Sequence, residues 1–210
     1  FKRLNAGGSK AEPMEVRNAS LRIFGPAGDE FLGFLKRCTQ CPGFQKTTEK
    51  YAQEAKDRLG LEELALRFIA FRNNLDDYKG NITEFLDTFS ELVVRNSGTD
   101  NALLLYEEEY EFFAQHFQQI HRLLGEDAFL RYRKGKAVRS LAPAYFEAVA
   151  LGLLEVGEAV WKLRPEDARR RLSDIMDPDE DRSFAKIVGP GANSVPRLKE
   201  RIAYVRDRFN

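Results

Sequence analysis

The sequence predicts an all-α protein, a bundle of about seven to nine helices, and three observations carry that expectation. Apolar residues recur at helical spacing in segment after segment. Proline, glycine and capping residues fall at the ends of those segments, and no run shows the β-branched alternation of a substantial sheet. No internal repeat is present either.

Residues 1 to 12 include Asn5, Gly7, Gly8 and Ser9 and read as a polar loop, after which Pro13 suits the first turn of a helix through Arg22. Gly25-Pro26-Ala27-Gly28 breaks that helix, Asp29 is placed to cap a second one through Arg37, and Cys41-Pro42-Gly43 breaks the chain again. Leu61, Leu64, Ala65, Phe68 and Ile69 form one apolar helical face, with Glu62, Glu63 and Arg67 facing outward. Asn81 followed by Glu84 imitates a capping box ahead of a stripe of Ile82, Phe85, Leu86, Phe89 and Val93. Asp100 is placed to cap the longest helix, in which Tyr106, Phe113 and Ile120 alternate with Tyr110, Phe117 and Leu124 until Gly125 stops it.

Phe129 to Arg139 is locally basic and its spacing fits neither helix nor strand cleanly. Pro143 then opens a helix expected to run through Leu163, burying Phe146, Val149, Ala150, Leu153, Val156, Val160 and Trp161. Asp177-Pro178-Asp179-Glu180-Asp181 reads as a solvated acidic turn and Gly189-Pro190-Gly191 as a linker. Ser194 then caps a last helix with Val195, Leu198, Ile202, Val205 and Phe209 on one side.

With 210 residues, the chain is long enough to bury a real core, and sixteen phenylalanines and seven tyrosines exclude a disordered composition. Lysine plus arginine balance aspartate plus glutamate at 33 each, so net charge recruits neither nucleic acid nor an acidic membrane and any such contact must be local. Cys38 and Cys41 are too few for a secreted disulfide framework. The longest apolar stretch, Ala148 to Leu154, is far short of the ~20 residues that span a bilayer, and the start has no signal-peptide pattern, so the expectation is a cytoplasmic protein with no membrane partner. Phe1 opens the chain without an initiator methionine, and a part of a longer protein is expected.

Candidate chemistry is sparse. Cys38 and Cys41 have the spacing of half a zinc site, but no second pair or nearby histidine completes it, and they read as structural. His116 and His121 lie five apart, on different faces of a helix, and read as packed or solvated side chains. Glu107, Glu108, Glu109 and Glu111 fan out around a helix axis and read as a solvated face; no metal site is expected. Arg131, Arg133, Lys134, Lys136 and Arg139, with Tyr132 available for stacking, are candidate nucleic-acid-binding residues. At the front, the aromatic ring of Phe1, the guanidinium of Arg3 and the carboxamide of Asn5 beside a glycine turn at Gly8 have the chemistry to stack on a base, pair with phosphate and read a base edge.

The text FKRLNAGG followed by PMEVRNA resembles the GmrS-type domain of GmrSD modified-DNA restriction systems, in the ParB/sulfiredoxin-like nuclease superfamily. That family pairs an upstream DGQQR motif with a downstream FxxxN motif, and Phe1 and Asn5 fit the second. LEELALRFIAF, the Tyr78-Lys79-Gly80 step, LGEDAFLRY and SVPRLKERIAYVRDRF are similar as well. The resemblance implies a helical C-terminal portion of a larger α+β protein, with residues 1–55 as a motif loop plus short helices completing an upstream domain and 56–210 as the helical bundle. It implies a nucleotide pocket lined by Phe1 and Asn5 and supported by Arg3, Gly8, Glu15 and Arg17, taking GTP or another nucleoside triphosphate with Mg in the complete protein.

These 210 residues contain neither DGQQR nor an HNH-type cleavage domain, so no cofactor and no hydrolysis are expected of this chain alone, and catalytic residues are not assigned. The expected role is to complete a nucleotide site and act as scaffold in bacterial DNA restriction or phage defence, with an upstream domain of the same protein, and DNA, as partners. The alternative is a nucleic-acid-binding or protein-interaction helical module acting through the basic stretch.

Overall fold

The computed structural model describes residues 12–51, 60–179 and 182–210. These residues form ten α-helices and one two-stranded sheet, a mostly α-helical bundle as the periodicity predicts. The helices are α1 (Pro13–Leu21), α2 (Pro26–Thr39), α3 (Pro42–Thr47), α4 (Gly60–Asn74), α5 (Ile82–Asn96), α6 (Tyr106–Leu124), α7 (Pro143–Gly152), α8 (Pro165–Met176), α9 (Arg182–Ile187) and α10 (Val195–Phe209). Between α6 and α7, strands β1 (Leu130–Arg133) and β2 (Lys136–Leu141) pair antiparallel.

Phenylalanine fixes the centre. Phe44 of α3, Phe68 of α4, Phe113 and Phe117 of α6, Phe129 before β1 and Phe146 of α7 are all fully buried. Phe113 and Phe117 lie 4.4 Å apart, Phe44 meets Phe117 edge-on at 5.0 Å, and Phe129 meets Phe146 at 4.8 Å. Such tilted and edge-on ring pairs add to the burial of their large apolar areas. Helix α6 therefore crosses the centre, with α3 and α8 packed along it, while α7 lies between α4 and α10. Residues from α1 and α2 share one continuous apolar core with those of the later helices.

Two close backbone approaches make this packing possible. A Cβ at Gly43 would stand 2.4 Å from the Gln118 nitrogen of α6, and one at Gly152 would stand 2.9 Å from the Ile202 carbonyl oxygen of α10.

Several expected boundaries move. The helix opened by Pro143 ends at Gly152 and not Leu163, because α10 passes against its end; the following residues turn, and Val160–Lys162 form a separate 3₁₀ turn that buries Val160. Helix α6 starts at Tyr106 with Leu105 at its N-cap, so Asp100 caps nothing and lies in a turn, while buried Leu104 anchors the loop that follows. Helix α2 starts at Pro26, whose fixed φ suits a first turn, with Gly25 at φ +64° as its N-cap and Asp29 inside. Arg67 does not face outward: Leu64 to Phe71 are all buried, so α4 has no solvent face there. Asn81 does cap α5, its Oδ1 accepting from the Glu84 N–H at 3.3 Å.

Adding one methyl at Gly43 forces α3 off α6, and Gly43→Ala is expected to lower unfolding free energy by about 2 kcal/mol. Gly33→Ala is the contrast, since nothing lies within 4 Å of its Cβ position on the exposed side of α2. That change is expected to stabilise by about 0.5–1 kcal/mol, both measured by urea denaturation.

Candidate functional site

Phe1, Arg3, Asn5 and Gly8 lie outside the described residues; Glu15 and Arg17 lie within them, on α1. The Glu15 carboxylate accepts from the Glu12 N–H at 2.9 Å, the reciprocal half of a capping box that holds the start of α1. Arg17, one turn further and on the inner side, is 3% exposed. Its Nε donates to Asp87 Oδ1 of α5 at 2.9 Å and its Nη1 to Met14 Sδ at 3.3 Å, while Nη2 is buried with no partner among the described residues. Burial lowers the pKa of this guanidinium from its ordinary value, against the opposing pull of Asp87. Beside it opens a cleft of about 260 Å³ between α1 and α5, edged by Val16, Ser20, Thr83, Asp87 and Glu91.

Behind Arg17 the charges continue inward. Glu63 and Arg67 of α4 act on Arg17 electrostatically. Arg67 donates through Nε and Nη2 to Glu63 Oε1 at 3.0 and 2.7 Å, and through Nη1 to Glu147 Oε1 of α7 at 2.7 Å. Burial alone would lower the Arg67 pKa, but Glu147 and Glu63 outweigh it and the net direction is up. The other Glu147 oxygen accepts from Arg201 Nη2 of α10, and Arg201 Nη1 donates to the Ala192 carbonyl. Tyr78 closes the group by donating its hydroxyl to the Asn193 carbonyl. Glu147 and Arg201 are each 1% exposed.

Asp87, Glu63, Glu147 and Arg201 have no counterpart among the sequence-derived candidates. A buried Glu147 in the strongly apolar run Phe146 to Leu154 was the one available signal, since an isolated carboxylate cannot be buried there without a cation.

The basic stretch forms the β1–β2 hairpin. Arg131, Arg133, Lys134 and Lys136 are exposed, and Arg139 lies in β2, where the register shifts. Tyr132 is not available for stacking: it is 8% exposed on the inner face, and burial pushes its phenol up to about 12.

The remaining candidates are structural. Cys38 and Cys41 are free, buried thiols, and burial pushes both pKa values up, away from reactive thiolates. His116 packs flat against Phe68 at 5.3 Å, with Nε2 2.8 Å from the Ala150 carbonyl oxygen. The acidic run on α6 is not wholly solvated: Glu109 is buried and accepts from Arg72 Nη1 at 2.5 Å, and the Arg72 guanidinium stands 3.7 Å over the Phe112 ring. Among the described residues no group of three His, Cys, Asp or Glu side chains could hold a metal ion, and no helix is long and apolar enough to cross a membrane.

Fold and site together define a mostly α-helical bundle threaded by buried arginine–carboxylate pairs, with a small cleft at its α1–α5 edge. No family model, curated protein or solved structure matches the chain.

Removing one partner of a buried pair leaves the other charge uncompensated, so Glu147→Ala is expected to cost about 3–5 kcal/mol in urea denaturation. Histidine has an ordinary pKa of about 6.5, and burial holds His116 down at about 4. Between those values the unfolded chain takes up a proton that the folded chain refuses. The stability carried by this ring is therefore intact above about pH 6.5 and falls as the pH drops toward about 4. His116→Gln keeps a donor for the Ala150 carbonyl but does not titrate. Its unfolding free energy is expected to change less than that of the parent between those two pH values.

Proposed function

We propose that this chain is the helical C-terminal portion of a GmrS-like protein, completing a nucleotide-binding site at its α1–α5 edge and otherwise serving as scaffold in a bacterial DNA restriction or phage-defence context. The observation that carries the reading is Arg17, whose buried Nη2 has no acceptor among the described residues, on the wall of a cleft and about one turn along the helix that follows FKRLNAGG. Such a donor is costly to leave unmet and is satisfied by an incoming acceptor oxygen. Asp87 accepts from Nε and Met14 Sδ from Nη1, so the guanidinium fork is held in place. Glu15 acts differently: its carboxylate is engaged in the cap and holds the start of α1 in place.

The described residues do not supply a metal cluster, so Mg²⁺ has no set of ligands here and no step is routed through it. In this reading the upstream domain of the same protein brings the DGQQR segment and the remaining pocket wall. GTP or another nucleoside triphosphate is the ligand of the complete site.

Isothermal titration calorimetry with GTP and with ATP tests this. The present chain is expected to bind weakly or not at all, and a chain extended upstream through the DGQQR segment at least about tenfold more tightly. Arg17→Lys in the extended chain keeps the charge, lacks the fork, and is expected to lose most of that gain. Equal titrations for the two lengths would remove the reading.

A further inference from the structure

The β1–β2 hairpin lies on other elements than the α1–α5 cleft, packing against α7 and α8. Its register sets Arg131 opposite Val138 and Arg133 opposite Lys136. Cross-strand partners project from the same face of a sheet, so Arg131, Arg133, Lys136 and Val138 form one face, and all four are exposed. Tyr132 and Ala137 take the opposite face, against the body of the protein. Lys134 at φ +52° and Gly135 at φ +70° make the tip, two successive left-handed residues as in a type I′ turn.

Arg37, Lys50, Arg95, Arg197 and Lys199 each have a carboxylate partner, whereas no described carboxylate pairs with Arg131, Arg133, Lys134 or Lys136. Arg22, Lys36, Lys162 and Lys186 are also exposed without a carboxylate partner among the described residues, but the hairpin gathers four such cations on one short ribbon. Opposite residues stand about 5 Å apart across the ladder and alternate residues about 6.7 Å apart along a strand. Like charges so close repel, and in a chain of zero formal net charge they concentrate a local positive field.

The ribbon is also held still. The Gly135 N–H donates to Asp177 Oδ2 at 2.8 Å, and Asp177 is fully buried, its other oxygen accepting from the Asp179 N–H. Arg131 lies 5.2 Å over the ring of Tyr145, which keeps its stem on the surface.

We propose that the β1–β2 hairpin is a nucleic-acid contact surface that grips the phosphodiester backbone through Arg133, Lys134 and Lys136, with Arg131 in support. A two-stranded ribbon fits the major groove of a duplex, which is about 12 Å wide. Contacts to phosphate oxygens carry no sequence information, so a grip on the backbone is sequence-independent. The face has no aromatic anchor for a protein hot spot, and its one apolar side chain, Val138, gives too little area to enter lipid.

Fluorescence anisotropy of this chain with a labelled random-sequence DNA duplex, and with one of its single strands, tests the surface over a series of salt concentrations. The parent is expected to bind with an affinity that falls steeply with salt. R133Q/K134Q/K136Q is expected to weaken binding at least about 30-fold at low salt and to reduce the log–log slope by about 2–3 on the duplex. R133K/K136R, which keeps the charges, and R197Q/K199Q/R206Q, which removes three cations elsewhere, are expected to stay within about threefold of the parent. Tighter binding of the duplex assigns the ribbon to a groove, and tighter binding of the single strand assigns it to tracking one backbone. No binding at low salt, an unchanged triple-glutamine variant, equal losses in the two triple variants, or equal affinity for polyglutamate would overturn the proposal.

Discussion

The Glu147 carboxylate sits in the middle of the bundle with a guanidinium on each side, Arg67 from α4 and Arg201 from α10. None of the three groups could be buried alone, since an isolated charge in a protein interior costs several kcal/mol in desolvation. Together they make the relative placement of α4, α7 and α10 nearly unique, because shifting any one helix leaves a charge without its partner. Glu63 extends the chain of charges outward from Arg67, and Arg17 with Asp87 continues it to the α1–α5 edge. Three arginines and three carboxylates thus run from the core to the cleft, and the geometry of the cleft is inherited from the core.

The apolar packing supports that arrangement. The phenylalanines around Phe117 fill the space between α3, α4, α6 and α7, and they tolerate little displacement at native packing density. Gly43 and Gly152 let backbones approach where any side chain would hold them apart. His116 belongs to the same packing. Its neutral ring stacks on Phe68 and joins the Ala150 carbonyl, which ties α6 to the end of α7 where the chain turns.

Much of the fold was legible because amphipathic helices write their buried face into the sequence. The stripes of α5 and α10, the proline openings of α1 and α7, and the Gly125 end of α6 are local signals, and they hold. Local signals failed where a distant element decided the outcome. The run from Pro143 to Leu163 has helical periodicity throughout, yet α10 crosses at Gly152 and the chain turns there. Arg67 sits on the polar side of a helical wheel, but that side faces Glu63 and Glu147 and not water.

For the candidate sites the division is the same. The resemblance at the front of the chain marked Arg17, and residue chemistry alone marked the basic stretch, since a cluster of cations announces itself by type. The hairpin's register settled which basic side chains share a face and turned Tyr132 inward, because successive strand residues alternate sides. The sequence by itself determined a helical protein with a phenylalanine-rich core and no net charge, properties that depend on composition and on spacing within single segments. The tertiary structure alone decided that Arg17, Asp87, Glu63, Arg67, Glu147 and Arg201 form one line of charges, because those residues lie on five different helices and meet only when the bundle closes.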